Sequence, residues 1–205
     1  MTPRPYLSYS SMVLLEKNPK QWIRQYLYDE TFRPNSGMVF GKKMADGLEN
    51  DEDTGDIALD LMMTKIPKFE IMDKEFTADL KTGRRLTSGK PEIIKILCKP
   101  DTRKGDHSAF KEYKTAQKRW TKKQVDESDQ ITFYATGMFL ITSKIPGDIE
   151  LVEIPTKRAL DGKIECTGEI YRHHTVRSMG QILQMMVRMK RAWSTINKIC
   201  EEELL

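Results

Sequence analysis

The sequence predicts a mixed α/β (α+β) layer fold, and three observations point to that class. Apolar residues recur at helical spacing in the N-terminal part, strand-like runs separated by glycine-marked turns fill the middle, and helical spacing returns from Ser178 onward. A sheet buries its faces under helices, so this order favours stacked layers. With 205 residues the chain is long enough to bury a sizeable core, and we predict one domain over 1–205. Its expected parts are a helical N-terminal part (1–66), a sheet core with one helix (67–177) and a C-terminal helix (178–205).

Four short helices are predicted in the N-terminal part. The first begins near Ser8 or Ser10, which are good N-cap residues, and Pro19 suits the first turn of the second. Apolar spacing of four residues predicts a third helix over 38–49, and a fourth is predicted over 56–63.

The middle of the chain changes to strand-like runs. Strands over 68–80, 91–102 and 108–116, separated by turns, suggest an antiparallel meander. A helix within 125–142 that starts near Asp126 or Ser128 is predicted to follow, and then two further strands and the amphipathic C-terminal helix; the strands cover 149–157 and 165–176. The methionines of the last helix are interpreted as core filling.

Composition and charge narrow the class of protein. At 39% hydrophobic and 31% charged residues the chain has an ordinary soluble composition, and its net charge of +4 is mildly basic. Apolar runs are far shorter than the roughly 20 residues of a membrane span, and the N-terminus has no secretory pattern. We therefore expect no membrane association and a cytoplasmic location.

The three cysteines, Cys98, Cys166 and Cys200, lie far apart and form no CxxC pair. They are predicted to be buried free thiols in a reducing compartment. An iron–sulfur cluster normally needs four thiolates, so none is expected.

A basic stretch over 114–123 surrounds one aromatic residue and contains no acid; its candidate DNA-binding residues are Lys118, Arg119, Trp120, Lys122 and Lys123. One interpretation is a solvated turn, which is what charge runs usually are. The other is a phosphate-binding surface with a stacking aromatic. Taken alone, the stretch favours the solvated turn.

Glu112 and Lys114 are two apart in the strand-like run "AFKEYKTA", so they share one face of the strand. Asp101 ends the preceding run, and in a hairpin-like return it would lie beside them. Two carboxylates with a nearby lysine predict a site for a divalent cation such as Mg²⁺. A surface salt bridge is the alternative, and it would be favoured if Asp101 were absent.

Pro100-Asp101, a short insertion and then Glu112-Tyr113-Lys114 resemble the PD-(D/E)xK signature of the restriction-endonuclease-like nucleases. The continuation resembles the RecB-like and phage exonuclease branch, in which a basic, aromatic stretch precedes a helix carrying Q-x-x-x-Y, here Gln130 to Tyr134. The segments "YLSYSSMVLLEKNPKQWIRQYL" and "FGKKMADGLE" are similar to that branch's first helices. The resemblance implies a mixed central sheet flanked by helices, with an N-terminal helix pair and a long C-terminal helix.

The resemblance also implies a role for each motif residue. Asp101, Glu112 and the backbone carbonyl of Tyr113 would hold one or two Mg²⁺ or Mn²⁺ ions. Lys114 would position the hydrolytic water. Two further side chains, Gln130 and Tyr134, would orient the site or touch DNA phosphate.

One position departs from the pattern of that branch. Many members carry G-x-x-x-H in the early helix with the histidine on the metal, whereas Gly41 is followed here by Ala45. Glu49, one turn further on, is the candidate replacement ligand; an exposed acid at a helix end is the equal alternative. His173 and His174 are adjacent on a strand, so they point to opposite faces and form no clamp.

The predicted function is metal-dependent hydrolysis of DNA phosphodiester bonds. The RecB-like resemblance favours an exonuclease acting on DNA ends in recombination, repair or phage DNA metabolism, within a bacterial or phage-infected cell. It also implies an annealing protein or a helicase as a partner, and possible homo-oligomers. Two alternatives stay open: a catalytically inactive DNA-binding or assembly module with the same fold, and a metal enzyme acting on another substrate.

Overall fold

The computed structural model describes residues 4–50, 52–72 and 74–203. Within them the chain forms seven helices: α1 (Tyr9–Lys17), α2 (Pro19–Tyr26), α3 (Ser36–Asn50), α4 (Ile57–Met63), α5 (Lys122–Asp126), α6 (Asp129–Thr142) and α7 (Met179–Glu203). The strands within the same residues are β1 (Leu7–Ser8), β2 (Ile71–Met72), β3 (Phe76–Arg85), β4 (Pro91–Cys98), β5 (Thr102–Arg103), β6 (Ala109–Ala116), β7 (Asp148–Arg158), β8 (Ile164–Cys166) and β9 (Tyr171–Thr175). Residue 73, inside the strand predicted over 68–80, lies outside the described residues, as do 1–3, 51 and 204–205 of the predicted domain.

The predicted N-terminal helix pair is confirmed. The side chain of Ser8 accepts a hydrogen bond from the N–H of Ser11 and caps α1, and Asn18 caps α2 with Pro19 in the first turn. The indole of Trp22 is buried and donates to the Ser11 hydroxyl at 2.9 Å. This bond joins the two helices and gives the buried indole N–H a hydrogen-bond acceptor.

The strands form two sheets that share no strand. In the first, β4 lies between β1, to which it is parallel, and β3, to which it is antiparallel. In the second, β6 lies between the short antiparallel strand β5 and the parallel strand β7, and β8 and β9 both pair with β7. The fold is therefore a mixed α/β architecture with helices flanking a mixed sheet, as predicted.

The predicted antiparallel meander is wrong, because its third strand belongs to a different sheet from the first two. β4 ends at Cys98, and Pro100, which has no N–H for a strand ladder, follows two residues later. The chain then turns through β5, whose pairing with β6 places Thr102 opposite Lys111. The return that the sequence suggested is present, but it is made by the two residues of β5.

Several predicted boundaries also move. The strand predicted over 68–80 is divided into β2 and β3, and β3 continues to Arg85, so that the turn before β4 is much shorter than the predicted turn over 81–90. The strand predicted over 165–176 is divided into β8 and β9, with Gly168 at a φ of 90° between them. The helix predicted within 125–142 is present as α6, and Ser128, one of its two predicted start positions, is its N-cap; the short helix α5 precedes it.

The hydrophobic core has two parts, one on each side of the parallel pair β6–β7. Phe110 and Leu151 face α6 and α7, whereas Tyr113 and Val152 face α3 and α4. The alternation follows from the two-residue period of a strand. A helix on each side of the pair is the arrangement that parallel strands require.

The predicted C-terminal helix is confirmed as α7, and its buried face is formed by Ile182, Met185, Met189, Ala192 and Ile196. The methionines are core residues where they lie on this face, but Met179 is 45% exposed. Among the described helices, none combines the length and the apolar character that a membrane crossing requires. All three cysteines are free thiols; Cys98 and Cys200 are buried as predicted, and Cys166 is half-buried.

The contact between α6 and β4 generates a stability prediction. A Cβ added at Gly137 of α6 would collide with the Sγ of Cys98. We expect Gly137→Ala to lower the free energy of unfolding by about 1–3 kcal/mol, measured by urea denaturation, because the tightly packed core has no room for the methyl group. Cys98→Ala in the same chain removes the colliding atom and should recover part of the loss.

Gly41→Ala is the matched control, since its Cβ would lie 3.5 Å from the Thr115 hydroxyl oxygen, an ordinary contact. Alanine has the better helix propensity, so the control should be neutral or stabilising by up to about 1 kcal/mol. Equal losses in the two variants would contradict the packing explanation.

Candidate functional site

Asp101 lies in the turn between β4 and β5, beside the strand that carries the motif. Because Thr102 pairs with Lys111 in antiparallel register, Asp101, which precedes Thr102, lies next to Glu112, which follows Lys111. The N–H of Tyr113 donates to the Asp101 carboxylate at 2.5 Å. The predicted approach of Asp101 to the Glu112–Lys114 pair is thus present in the structure.

Glu112 and Lys114 share one face of β6 and form an ion pair. The Lys114 Nζ lies 2.7 Å from the Glu112 Oε1, with Glu112 only 3% exposed and Lys114 30% exposed. Burial lowers the pKa of Lys114, but the neighbouring charges of Glu112 and Asp101 raise it more, and the net shift is upward. Lys114 is therefore an ammonium group at neutral pH, which suits a donor and a positive charge better than a base.

Gln130 and Tyr134 reach the same carboxylate from α6. Ser128 caps this helix, so Gln130 falls in its first turn, and Tyr134 follows on the same face. The Gln130 Nε2 donates to the Glu112 Oε1 at 2.6 Å and lies 3.1 Å from the Tyr134 hydroxyl. Tyr134 is buried, and burial followed by the charge of Glu112 raises its pKa, so the phenol stays protonated. Its position fits the predicted orienting role.

A cavity of about 480 Å³ opens between α3 and the end of β6. The site residues Asp101 and Lys114 line it together with Tyr113. The opposite wall belongs to α3 and the β7–β8 region and consists mainly of small or apolar residues: Gly37, Met38, Gly41, Met44, Ala45, Thr156 and Ile164. Asn35 and Thr156 add neutral polar groups on that side, and the charged residues that line the cavity, Asp101 and Lys114, come from the other side.

Ala45 lies in this wall, at the position where many RecB-like nucleases have a histidine. The methyl group offers no ligand atom. Glu49, the predicted replacement, is an exposed residue one turn further along α3 and does not line the cavity described above. Its role as a metal ligand stays a prediction.

The donor groups fit a hard divalent cation. Within residues 4–50, 52–72 and 74–203, no three His, Cys, Asp or Glu side chains are grouped so that they could hold a metal ion. Mg²⁺ needs only one or two carboxylates, because it keeps several waters and takes substrate phosphate oxygens as further ligands. The two carboxylates of Asp101 and Glu112 match that requirement.

The predicted DNA-binding stretch has a mixed structure. Lys118 is exposed, whereas Trp120 is half-buried and packs against the hydrophobic core. Lys122 begins α5, where it donates to Asp126 at 2.8 Å and to the carbonyl of His174 at 2.6 Å. The prediction of a simple solvated turn is therefore incomplete, because Trp120 and Lys122 contact other parts of the fold.

Sequence reasoning missed Glu153, which is fully buried on β7 directly opposite Lys114. Its Oε2 lies 2.8 Å from the Nε2 of His173, a residue for which no functional role was predicted. A signal was present: an acid in the apolar run "IELVEIP" cannot be buried without partners.

The mixed sheet and its flanking helices are consistent with the restriction-endonuclease-like fold that the sequence resemblance implied, and they bring Asp101, Glu112 and Lys114 together at the parallel strand pair.

No family model matches the sequence, and no curated protein matches it. Among solved structures, the chain is similar to the alkaline exonuclease LHK-Exo of Laribacter hongkongensis, with 15% identity over 97% of this chain and 91% of that chain and a TM-score of 0.49. It is also similar to the protein SSO0001, with 14% identity over 90% of this chain and 75% of that chain and a TM-score of 0.44. Similarity at this level does not identify a function.

The buried Glu112–Lys114 pair generates a second prediction. Lys114→Met leaves the Glu112 carboxylate buried without its cation, and we expect a loss of up to about 3 kcal/mol in the free energy of unfolding. The estimate is at the low end for buried pairs because Lys114 is 30% exposed. Adding Glu112→Gln to the Met variant removes the stranded charge and should recover most of the loss. Urea denaturation in EDTA measures both; a double variant less stable than Lys114→Met would contradict the explanation.

Proposed function

We propose that this chain is a metal-dependent DNA nuclease that hydrolyses phosphodiester bonds. One observation carries the proposal: the carboxylate of Asp101 and the ammonium of Lys114 line one cavity, with the Glu112 carboxylate held beside them. A cavity of about 480 Å³ is within the range of ligand sites. Carboxylates for a cation and a fixed positive charge for a phosphate are the groups that phosphodiester hydrolysis uses.

In this proposal each site residue has a separate role. Asp101 and Glu112, with the carbonyl of Tyr113, would hold one or two Mg²⁺ or Mn²⁺ ions. Bound metal supplies Lewis-acid stabilisation of the phosphate and a more acidic water. Lys114 orients the water and offsets negative charge on the phosphate, while Gln130 keeps the Glu112 carboxylate in place. Hydrolysis joins the water oxygen to phosphorus, breaks one ester P–O bond and gives a proton to the departing oxygen.

The finer function follows the RecB-like resemblance of the motif order. Within the proposal the whole chain acts as one nuclease domain in the cytoplasm of a bacterial or phage-infected cell, as an exonuclease on DNA ends in recombination, repair or phage DNA metabolism. An annealing protein, a helicase or further copies of the chain are the partners that this role implies.

Digestion of end-labelled DNA tests the activity. We expect cleavage with Mg²⁺ or Mn²⁺ and none with EDTA, and a loss of about 100-fold or more in Asp101→Ala and in Lys114→Ala, the size expected when a group acting on the reacting atoms is removed. Lys198→Ala, an exposed lysine of α7, is the matched control and should keep full activity.

Undiminished cleavage in both site variants would show a contaminating nuclease and end the proposal. DNA binding that is insensitive to EDTA and unaccompanied by cleavage would instead favour the inactive binding or assembly module.

The preference for ends is tested with one DNA in two forms. We expect the linear form of a plasmid to be degraded progressively and the covalently closed circle to persist under the same conditions, because only the linear form offers an end. The measurement is gel analysis over time, with a sequence-independent endonuclease as the control that cuts both forms. Nicking or linearisation of the circle would refute exonuclease action while leaving the nuclease proposal intact.

A further inference from the structure

Two carboxylates, Glu150 and Glu153, are fully buried on the central strand β7. They are three residues apart and point to opposite faces of the sheet. Glu150 is matched by two cations, with the Lys111 Nζ and the Arg172 Nε each at 2.6 Å. Its burial is explained by this cluster, and its pKa is lowered because the bonds to Arg172 and Lys111 outweigh the opposing effect of burial.

Glu153 has partners of a different kind, and two of them come from one short segment. Its Oε1 accepts the backbone N–H of Trp120 at 3.3 Å. Its Oε2 lies 3.6 Å from the Nε of Arg119 and 2.8 Å from the Nε2 of His173. The segment 117–121, which contains Arg119 and Trp120, connects the motif strand β6 to α5.

This connecting segment leaves the candidate active site directly. Lys114 and Glu153 are register partners across β6 and β7, so they lie on the same face. Gln117, the first residue of the segment, lines the cavity that contains Asp101 and Lys114. Lys118, the next residue, is exposed. The contacts of Glu153 with Arg119 and Trp120 therefore hold the chain where it passes the rim of the cavity.

The segment is held on more than one side. The guanidinium of Arg119 stacks on the ring of Tyr171, 3.1 Å from its centroid, while its Nε faces Glu153. The indole of Trp120 packs against the hydrophobic core. These contacts hold Arg119 and Trp120 in place. The Arg119 side chain stays 55% exposed, and Lys118 is exposed beside it, so both cations of the segment face solvent.

Burying a carboxylate is costly unless it gains compensating bonds. The sheet does not require one here, because Leu151, two residues away on the same face of β7, shows that this face accepts an aliphatic side chain in the core. His173 on β9 is the nearest partner of Glu153, and the other two, the Trp120 N–H and the Arg119 guanidinium, belong to the segment and dock it. We infer that Glu153 is a positioning residue that fixes the segment 117–121 at the cavity rim, so that Lys118 meets the backbone of a nucleic acid. The nucleic-acid part of this inference rests on the proposed function.

The direction of the change in DNA affinity distinguishes a positioning role of Glu153 from a simple effect of net charge. Replacing Glu153 by a neutral residue raises the net charge by one, which by long-range attraction alone strengthens DNA binding. Loss of docking weakens it instead. Glu150→Gln makes the same change in charge on the same strand but on the opposite face, and it provides the matched control.

The experiment compares the wild type with Glu153→Leu, Glu153→Gln and Glu150→Gln. Binding of fluorescently labelled single-stranded and duplex DNA is measured by anisotropy in EDTA at one fixed salt concentration. We expect several-fold weaker binding in Glu153→Leu, an intermediate value in Glu153→Gln, whose amide oxygen still accepts the Trp120 N–H, and unchanged or tighter binding in Glu150→Gln. Limited trypsin digestion should cut after Lys118 and Arg119 several-fold faster in the Glu153 variants only.

Equal or tighter DNA binding in both Glu153 variants, or unchanged cutting after Lys118 and Arg119, would overturn the inference. If Glu153→Leu does not fold, Glu153→Gln decides between the outcomes. The proposed function is judged separately by cleavage in the wild type. Wild-type cleavage with normal DNA binding in the Glu153 variants rejects only the inference, whereas weakened binding in those variants without any wild-type cleavage rejects only the nuclease.

Discussion

The buried carboxylate of Glu112 is the constraint on which the site and much of the fold depend. At 3% exposure it needs partners, and it finds them in Lys114 at 2.7 Å on its own strand and Gln130 at 2.6 Å on α6. The second bond requires the first turn of α6 to lie over β6, which the Ser128 cap and the parallel β6–β7 crossover bring about. One acid thereby links the motif strand, the crossover helix and the cavity.

The central strand β7 likewise carries buried carboxylates that need partners. As a central strand buried on both faces it should be aliphatic throughout. Its two buried acids are each compensated by a separate set of groups, Glu150 by Lys111 and Arg172, and Glu153 by His173 and the segment that follows the motif. The first set joins strands within the sheet. The second set also joins the sheet to a connection that is held in addition by the Trp120 indole and the Arg119–Tyr171 stack, so charge burial helps to fix local chain geometry beside the site.

The sequence could predict the parts of this arrangement that depend on local periodicity. Two-residue spacing placed Glu112 and Lys114 on one face, and four-residue spacing placed Gln130 and Tyr134 on one face of a helix. Strand pairing was predicted less well, because the residue pattern of β4 does not indicate which strand it pairs with. β6 pairs with the two-residue strand β5 in the other sheet, and a strand this short produces no recognisable sequence pattern. Glu153 was missed for a related reason, since its partner Trp120 is 33 residues away in the sequence.

The distribution of polar groups around the cavity also limits how a cation would bind under the proposed function. Asp101, in the turn before β5, and Glu112, on β6, approach from one side, whereas the α3 wall of the cavity contains Gly41 and Ala45, and the neutral amide of Asn35 lines the cavity just before that helix. The open side of the coordination shell must then be completed by water and by substrate phosphate, as Mg²⁺ commonly allows. Metal and DNA would accordingly strengthen each other's binding, because each supplies charge that the other lacks. Under the same proposal, the small residues of α3 would leave the space in which the phosphate lies, and Ala45 would leave more of the metal's coordination to water and substrate than a histidine at that position would.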